Sequence, residues 1–366
     1  SDVMPHPCPP IIHSASANSD DSPSLILLLA STPGIGIILC VSPGAQSDFA
    51  YAFLSILFEG APFILLGTLI SGFIDIYLPA NTMERLLPKR TYAAVLVAGL
   101  LGFILPVCEC AVVPVIRRLV KKGLPLSSAL TYMLAAPIVN PITAFSTWKA
   151  FKGPEISFAG IFTVAPDTLM TASRLGLGFL IAVAAGLIIA KVPLKAILRP
   201  RLLKALKPEK AKDHHHDHDH HHDHDHSHGS RLVAAFRSGI RDFIDVGIYF
   251  TLGVAITALF NTGIAPGAEW LDSLAEDPWK APAALMVLGF ILSLCSTSDA
   301  FIAASLDRFA WGAKLAFLTY GPMMDVKLIF LYQTVFTRRF IFFLAIGLFI
   351  TTWLASVAWQ STISIP

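Results

Sequence analysis

The sequence predicts an all-α integral membrane protein with about eight transmembrane helices, possibly nine, arranged as two four-helix repeats. Three observations predict this class. The chain is 54% hydrophobic and only 14% charged, with a mean hydropathy of +0.65, whereas soluble domains carry roughly 25% charged residues. Eight apolar stretches approach or exceed the ~20 residues that cross a hydrocarbon core. A pattern in the first half of the chain recurs in the second half.

The same composition excludes several classes of protein. Most of the surface must face lipid, so a soluble enzyme and a nucleic-acid-binding protein are excluded. No Walker A loop or hydrolase signature is present, so we expect a secondary transporter rather than an enzyme or an ATP-driven pump. The expected partners are the lipid bilayer and a small substrate, with no nucleic acid. The sequence leaves the oligomeric state open.

The N-terminal region precedes the eight strong stretches. Residues 1–23 are rich in Pro, Ser and Asp and predict a disordered tail. Residues 24–42 are apolar but contain the break Thr32-Pro33-Gly34. They therefore predict only a possible extra transmembrane helix.

The eight strong apolar stretches are predicted to be helices, because unpaired backbone groups find no water inside a bilayer. Several contain Pro or Gly, which predicts interrupted helices that line a cavity. The stretches are 48–77, 91–116, 125–148, 173–190, 241–261, 281–305, 311–336 and 340–359.

Lys and Arg in short loops predict the orientation. The turn at 117–122 holds four basic residues and the loop at 191–212 holds eight, so both are predicted to be cytoplasmic. The acidic loop at 262–280 suits the outside. Eight alternating passes would then place Arg338 and Arg339 outside, against the same rule.

An internal repeat divides the chain. Residues 101–105, Leu-Gly-Phe-Ile-Leu, recur as 288–292, and a cysteine follows three residues after each run. The sequence predicts a first four-helix repeat at 48–190, a linker at 191–240 and a second repeat at 241–362. An even number of helices in each repeat predicts parallel halves, with substrate bound at their interface.

Thiols and acidic groups mark the candidate site. Cys108 and Cys110 flank Glu109 between two prolines, and both thiols can face one substrate only where the helix is unwound. Cys295 occupies the matching position in the second half. Soft thiolates select soft ions, and trivalent arsenic shares this preference. The alternative is that these cysteines are simply small buried residues.

Ionisable residues inside apolar stretches are costly and predict a polar interior, ion pairing or proton transfer. They are Glu59, Glu109, Asp245, Asp299, Asp325 and Lys327. A structural pairing, for example of Asp325 with Lys327, is the alternative. The full set of candidate substrate-binding residues is Cys108, Glu109, Cys110, Asn140, Cys295, Ser296, Thr297, Ser298, Asp299 and Asp325.

A His/Asp tract at 213–228 contains ten His and five Asp residues. Imidazole and carboxylate together bind divalent metals, but the tract has no fixed ligand spacing and reads as low-complexity sequence. No firm cofactor is predicted beyond possible divalent metal ions here; the alternative is a solvated linker. The candidate metal ligands are His214, His215, His216, His218, His220, His221, His222, His224, His226 and His228.

Three motifs together resemble the predicted-permease family that includes the organoarsenical efflux permease ArsP. They are residues 105–110 (Leu-Pro-Val-Cys-Glu-Cys), 136–141 (Ala-Pro-Ile-Val-Asn-Pro) and 295–299 (Cys-Ser-Thr-Ser-Asp). The resemblance covers about residues 48–360 without the His/Asp tract. It implies an eight-helix, multi-pass permease of the inner (plasma) membrane without an ATPase domain.

Three functions are therefore carried forward. The first is export of a soft metal or metalloid species, such as a trivalent organoarsenical, through a thiol-lined site. The second is a divalent cation permease for Zn, Ni or Co that uses the His/Asp tract. The third is a membrane thiol-redox subunit in which Cys108 and Cys110 exchange disulfides.

Overall fold

The computed structural model describes residues 43–79, 87–104, 107–153, 156–158, 162–200, 203, 228–264, 274–275 and 277–364. The predicted tail at 1–23, the possible extra helix at 24–42 and residues 213–227 of the His/Asp tract lie outside the described residues.

The described residues form thirteen helices and three short strands. The helices are α1 (Pro43–Tyr77), α2 (Thr91–Ile104), α3 (Glu109–Lys121), α4 (Leu126–Ala135), α5 (Pro141–Ala150), α6 (Pro166–Ile189), α7 (Leu194–Ile197), α8 (His228–Ile264), α9 (Lys280–Leu292), α10 (Asp299–Ser305), α11 (Trp311–Tyr320), α12 (Val326–Tyr332) and α13 (Arg338–Gln360). The strands β1 (Ile156–Phe158), β2 (Phe162–Val164) and β3 (Ile363–Ser364) form a small antiparallel sheet in the order β2-β1-β3.

Within the described residues, four helices are long and apolar enough to cross a membrane. They contain the segments Ser47–Tyr77, Pro166–Ile189, Arg231–Leu259 and Arg338–Gln360. Shorter helices fill the remaining predicted stretches, and the described residues between them are not helical at 107–108, 136–140, 293–298 and 321–325. The predicted class, an all-α membrane protein, is therefore confirmed, with the small sheet as an addition.

Two of the broken helices continue in one direction. Gly186 and Gly178 of α6 lie against Thr131 and Ile138, and Arg174 of α6 donates a hydrogen bond to Thr147 in α5. Because residue numbers fall along α6 as they rise along α4 and α5, α6 runs antiparallel to both helices. The α4–α5 segment is thus one pass with a break at its centre.

The second broken pass, α11–α12, also continues in one direction. Gly312 in α11 lies against Ser356 and Gln360 of α13. Further along, the rings of Tyr320 and Phe349 meet edge to face with centroids 5.5 Å apart. The segment α11–α12 is therefore a single pass that runs antiparallel to α13.

The α2–α3 segment instead reverses its direction. Helix α3 runs alongside the second half of α1 in the same direction, because Ser71 bonds the Pro114 carbonyl at 3.2 Å. Farther along the same two helices, the Arg118 guanidinium lies 2.9 Å from Asp75. A tight turn follows in which Gly123 has a φ of 95°, a left-handed conformation that glycine adopts at no steric cost.

Helix α4 then leads back from that turn, and α2 lies beside it. Gly99 of α2 lies against Thr131, and Gly102 lies against Ala136. Helix α2 therefore runs in the direction of α4 and against α3. Helices α2 and α3 form a hairpin, hereafter hairpin 1, and the start of α3 at Glu109 lies inside the protein.

The α9–α10 segment is a hairpin of the same kind. Ser293 at the end of α9 bonds Thr257 at 3.3 Å, and Asp299 at the start of α10 lies 2.7 Å from Arg174 of α6. Helix α10 then returns to the end of the bundle, where the Ala304 carbonyl accepts a hydrogen bond from Lys314 in α11. Residues 280–305 are hereafter hairpin 2.

The structure differs from the prediction at two of the eight stretches. The stretches 91–116 and 281–305 each turn back near their centres, which leaves six segments, called passes here, that run from one end of the described bundle to the other. Hydropathy reports the length and apolarity of a stretch and contains no sign of a reversal, so the sequence could not separate a hairpin from a span. Each hairpin is shorter than two full passes because both of its arms end inside the protein.

The two halves are also inverted and not parallel as predicted. Helices α1 and α8 open the two halves, and they pack antiparallel through small residues that allow close approach. Gly60 lies against Phe250, and an added Cβ at Gly72 would lie 2.7 Å from the Gly239 nitrogen. Each half shows the order long helix, hairpin, broken pass, long helix, but the second half runs in the opposite direction. Helix α8 begins at His228, inside the predicted linker.

One end of the bundle, hereafter the basic end, collects most of the basic loops. The turn after α3 lies there beside the end of α6, since Gly186 contacts the Ser127 carbonyl. The start of α13 lies there too, because the Thr337 N–H donates to the Ile197 carbonyl at 2.9 Å. Arg338 and Arg339 are therefore at the same end as the turn at 117–122, which removes the conflict in the predicted orientation.

At the other end, hairpin 2 begins beside an acidic residue. The Asp277 carboxylate accepts hydrogen bonds from the N–H groups of Trp279 and Lys280, at 2.9 and 3.1 Å. These bonds hold the pKa of Asp277 below its usual value, because hydrogen bonds to a carboxylate favour its charged form. Asp277, at the start of hairpin 2, therefore lies opposite the basic end.

Candidate functional site

The tips of the two hairpins meet inside the protein. Glu109 is the first residue of α3 in hairpin 1, and Ser296 lies in the break between α9 and α10 in hairpin 2. The Ser296 hydroxyl donates to a Glu109 carboxylate oxygen at 3.2 Å. Both residues are buried. A direct contact therefore joins the points where the two hairpins reverse.

Lys327 neutralises the hairpin 1 tip. Its ammonium lies 3.3 Å from the Glu109 carboxylate and 3.7 Å from that of Asp325. It also donates to the Ser293 carbonyl at the end of α9, at 2.9 Å. The predicted pairing of Asp325 with Lys327 is therefore present, and Glu109 is a nearer partner. One cation from the second half thus holds both hairpin tips.

Arg174 neutralises the hairpin 2 tip. Its guanidinium lies 2.7 Å from the Asp299 carboxylate and donates to the Thr147 hydroxyl at 2.8 Å and to the Ser296 carbonyl at 3.0 Å. The Arg174 side chain is fully buried. Ser296 therefore links the two ion pairs, since its hydroxyl bonds Glu109 and its carbonyl bonds Arg174.

These ion pairs cross between the halves. Lys327 comes from the second half and pairs with Glu109 of the first, whereas Arg174 comes from the first half and pairs with Asp299 of the second. An unpaired charge in such a setting costs several kcal/mol. Each half therefore depends on the other for the cation that neutralises its hairpin.

A small cavity lies beside the Glu109–Lys327 pair. Its free volume is about 10 Å³, roughly the room that one water molecule needs. Among the described residues, the cavity is lined by Ile56, Glu59, Gly60, Phe63, Cys108, Glu109, Cys110, Phe250, Cys295 and Lys327. The structure thus brings all three predicted thiols to one place, with apolar side chains of α1 and α8 across from them.

The local backbone explains how the two neighbouring thiols reach the same cavity. Cys108 has an extended conformation, with φ of −68° and ψ of 163°, and precedes the helix that begins at Glu109. Cys110 lies in the first turn of α3 and is 4% exposed. Cys108 therefore does not follow the helical rotation that would turn it away from Cys110. All three thiols are free.

Two other predicted site residues cap helices. The Asn140 side chain accepts a hydrogen bond from the Thr143 N–H at 2.8 Å, and Asp325 accepts one from the Leu328 N–H at 2.6 Å. Asn140 also donates to the Ala136 carbonyl at 2.9 Å. They restart the broken passes at α5 and α12, so they satisfy backbone groups that the breaks set free.

Thr297 and Ser298 hold the tip of hairpin 2. Thr297 donates to the Cys295 sulfur at 3.5 Å, and Ser298 donates to the Cys295 carbonyl at 3.1 Å. Asp299 faces Arg174. Among the described residues, these side chains fix the loop around Cys295, while Cys295 itself lines the cavity.

The sequence comparisons match this architecture to a known group of membrane proteins. A family model described as a predicted permease, ArsP_1, matches residues 47–361, which include both hairpins and all six passes. The chain belongs to this family. The resemblance predicted from the three motifs is confirmed.

Two relatives of the permease are similar over most of their length. The UPF0718 protein YcgR of Bacillus subtilis (strain 168) is 36% identical over 304 residues, which cover 82% of this chain and 94% of the relative. A Streptococcus mutans protein described as a putative two-component membrane permease complex subunit is 33% identical over 290 residues, 79% of this chain and 87% of the relative. No solved structure matches the permease.

Sequence reasoning missed Arg174 as a site residue of the permease. The predicted stretch began at 173, so this arginine looked like the charged end of a span. Helix α6 begins at Pro166, which places Arg174 more than two turns inside. The sequence did show a single arginine at the start of an apolar stretch. It did not show that Asp299, in the other half, is the partner of this arginine.

The remaining acidic residues lie on exposed helix surfaces. Glu59 in α1 and Asp245 in α8 are both exposed, and Glu59 also lines the cavity. The predicted metal ligands of the permease fall outside the described residues, apart from His228 at the start of α8. In the part of the chain that the structure describes, no group of three or more His, Cys, Asp or Glu side chains could hold a metal ion.

Proposed function

We propose that this protein is a secondary permease of the plasma membrane that exports a soft, thiol-seeking species, with trivalent organoarsenicals as the leading class. The observation that carries the proposal is the convergence of Cys108, Cys110 and Cys295 on one cavity. Two of these thiols come from hairpin 1 and one from hairpin 2, so a bound substrate would join the two halves.

The chemistry of thiol exchange suits this cavity. A trivalent organoarsenical with two hydroxyl groups reacts with two thiols: two As–S bonds form and two As–O bonds break. Each thiol proton leaves with a hydroxyl group as water, and arsenic stays trivalent. The exchange creates no net charge in a buried site. The apolar walls supplied by Ile56, Phe63 and Phe250 would receive the organic group.

The charges around the cavity favour a neutral cargo over a divalent cation. Lys327 lines the cavity and already neutralises Glu109. A dication placed among the thiols would meet this ammonium group and would have to displace it from Glu109. We therefore rank export of Zn, Ni or Co second, with the His/Asp tract as the feature that supports it.

The inverted hairpins suggest how access would alternate. Hairpin 1 opens toward the basic end and hairpin 2 toward the opposite end, and their tips close the cavity between them. Inverted halves with interrupted helices at a central site are a recurring transporter design. Movement of either hairpin would open the site to one side only. Glu109 and Asp299 would act as the anchors of the two tips.

Uptake into inside-out vesicles tests the proposal. Vesicles that contain the protein receive methylarsenite or Zn²⁺ under an imposed proton gradient. We expect methylarsenite accumulation that is lost in Cys108→Ser and Cys295→Ser and kept in Cys40→Ser, which removes a cysteine that precedes the described residues. Unchanged arsenical transport in Cys108→Ser would overturn the thiol site. Zn²⁺ accumulation that requires residues 213–228 would establish the divalent cation permease instead.

The name of the Streptococcus mutans relative extends the proposal to a partner. That relative is described as a complex subunit, and we propose that this chain also works with a second membrane protein. A tagged full-length chain, purified from its native membrane in mild detergent, tests this. A stoichiometric second polypeptide supports the partner; full vesicle transport by the chain alone argues against any need for one. An oxidised Cys108–Cys110 pair in isolated membranes would favour the redox subunit.

A further inference from the structure

A second concave site lies at the basic end, away from the thiol cavity. It is a groove of about 700 Å³ between the end of α1 and the first turns of α8. Five of its eight lining residues are charged or polar and three are apolar. The residues are Asp75, Ile76, Arg118, Val233, Ala234, Arg237, Ser238 and Arg241.

Only part of the positive charge in the groove is neutralised. Arg118 pairs with Asp75 at 2.9 Å and with Asp242 at 2.9 Å. Arg237 and Arg241 are exposed and lie one turn apart on α8. No residue in the described part of the chain forms an ion pair or hydrogen bond with either of them. The groove therefore offers two adjacent guanidinium groups to an anion.

The depth of the groove matches the headgroup region of a bilayer. The apolar segment of α1 ends at Tyr77 and that of α8 begins at Arg231, whose guanidinium lies 5.2 Å from the Tyr77 ring centroid. A pair of this kind marks a membrane–water interface. The α8 segment has 29 residues and is about 43 Å long, longer than the ~30 Å hydrocarbon core. Its first turns therefore lie among headgroups.

The basic end also identifies the leaflet. Short loops rich in Lys and Arg remain in the cytoplasm, and the last turns of α3 and the residue after it contribute Arg117, Lys121 and Lys122 to this end. The cytoplasmic leaflet carries the anionic lipids. An anionic headgroup is therefore the ligand that this groove meets at high local concentration.

We propose that the groove binds the headgroup phosphate of an anionic phospholipid from the cytoplasmic leaflet. Arg237 and Arg241 hold the phosphate, since guanidinium groups bind phosphate oxygens in a planar, two-pronged geometry. Ile76 and Val233 contact the glycerol and the first methylene groups. A bound headgroup contacts both the end of α1 and the first turns of α8, so its binding stabilises the folded state.

Full-length protein in lipid nanodiscs tests this site. One set of nanodiscs contains phosphatidylcholine alone, and the other contains one quarter phosphatidylglycerol. Native mass spectrometry counts the retained anionic lipid, and thermal unfolding gives the shift in Tm. We expect retained phosphatidylglycerol and a higher Tm for the wild type. Arg237→Gln/Arg241→Gln should weaken retention by at least about tenfold, since each basic group near an anionic surface contributes about 1 kcal/mol.

Matched variants keep the test decisive. Arg338→Gln/Arg339→Gln removes two exposed arginines from the same end outside the groove, and it should retain lipid like the wild type. The charge-preserving Arg237→Lys/Arg241→Lys should retain an intermediate amount. Equal retention by both glutamine double variants would overturn the proposal. So would a Tm response to inorganic phosphate in phosphatidylcholine nanodiscs that matches the response to phosphatidylglycerol, because a free anion would then be the ligand.

Discussion

Replacing Arg174 by methionine removes the cation that faces Asp299 between the two halves. Methionine keeps most of the volume of the arginine stem. The ion-paired side chains are 0% and 4% exposed, so the carboxylate left behind has no access to solvent. Breaking a buried pair by removing one partner costs about 3–5 kcal/mol. The Thr147 hydroxyl and the Ser296 carbonyl also lose a partner, at about 1 kcal/mol each.

A double-mutant cycle separates the ion pair from general packing. We expect Arg174→Met to lower the free energy of unfolding by about 5–7 kcal/mol. Asp299→Asn leaves the guanidinium unpaired and should cost roughly 3 kcal/mol or more. The double variant removes both charges, and it should be more stable than the sum of the single effects predicts by about 2–3 kcal/mol.

The assay is unfolding of purified protein in detergent micelles, followed by circular dichroism as the fraction of sodium dodecyl sulfate rises. Arg338→Met, which removes an exposed arginine, is the control and should stay within about 0.5 kcal/mol of the wild type. If the two single effects add to within about 0.5 kcal/mol in the double variant, Arg174 and Asp299 are energetically independent. That result would refute the assignment of this pair as the anchor of hairpin 2.

Three further predictions concern the cavity, a helix cap and the His/Asp tract. Gly60→Ala should reduce vesicle transport while the protein is still produced, because the added Cβ would overlap the Phe250 ring. The control is Gly247→Ala, which should transport normally because no atom lies within 4 Å of its added Cβ. Asn140→Ala removes the cap of α5 and should lower the free energy of unfolding by about 0.5–2 kcal/mol. Asn140→Ser keeps a side-chain acceptor and should retain most of that free energy. Equal losses in the two variants would exclude the cap as the cause. Deletion of 213–226 should leave arsenical tolerance of cells unchanged, and a loss of that tolerance would contradict the thiol-site mechanism.

The sequence was sufficient to predict the class of the protein and the positions of its helix breaks. Apolar length, low charge and paired prolines are properties of short stretches of sequence. In the structure they correspond to apolar helices and to helix breaks in the same stretches. Chain direction is not local. The stretch 91–116 is long enough to span a bilayer, and nothing in its hydropathy records that it turns back. The misplaced Arg338 and Arg339 were the one sequence signal that the number of passes was wrong.

The candidate site was also predictable only in part. The cysteines and Glu109 could be found because the repeat aligned Cys108 with Cys295. Their partners in the other half could not be assigned. Lys327 was considered only as a partner of Asp325, and Arg174 was not considered, because neither cation has a counterpart in the repeat. Asn140 and Asp325 precede the helices that follow two of the breaks. Their capping role follows from backbone geometry that the sequence leaves open.

The crossed ion pairs have an evolutionary consequence. Inverted halves of this kind are what remains when two copies of a half-length protein, inserted in opposite orientations, become fused into one gene. Lys327 lies in a broken pass and Arg174 in a long helix, so the halves have since adopted different solutions for the same buried charge. Neither half could now pair with a second copy of itself. Expressed as separate chains, the two halves should accumulate only together, each protecting the other from degradation.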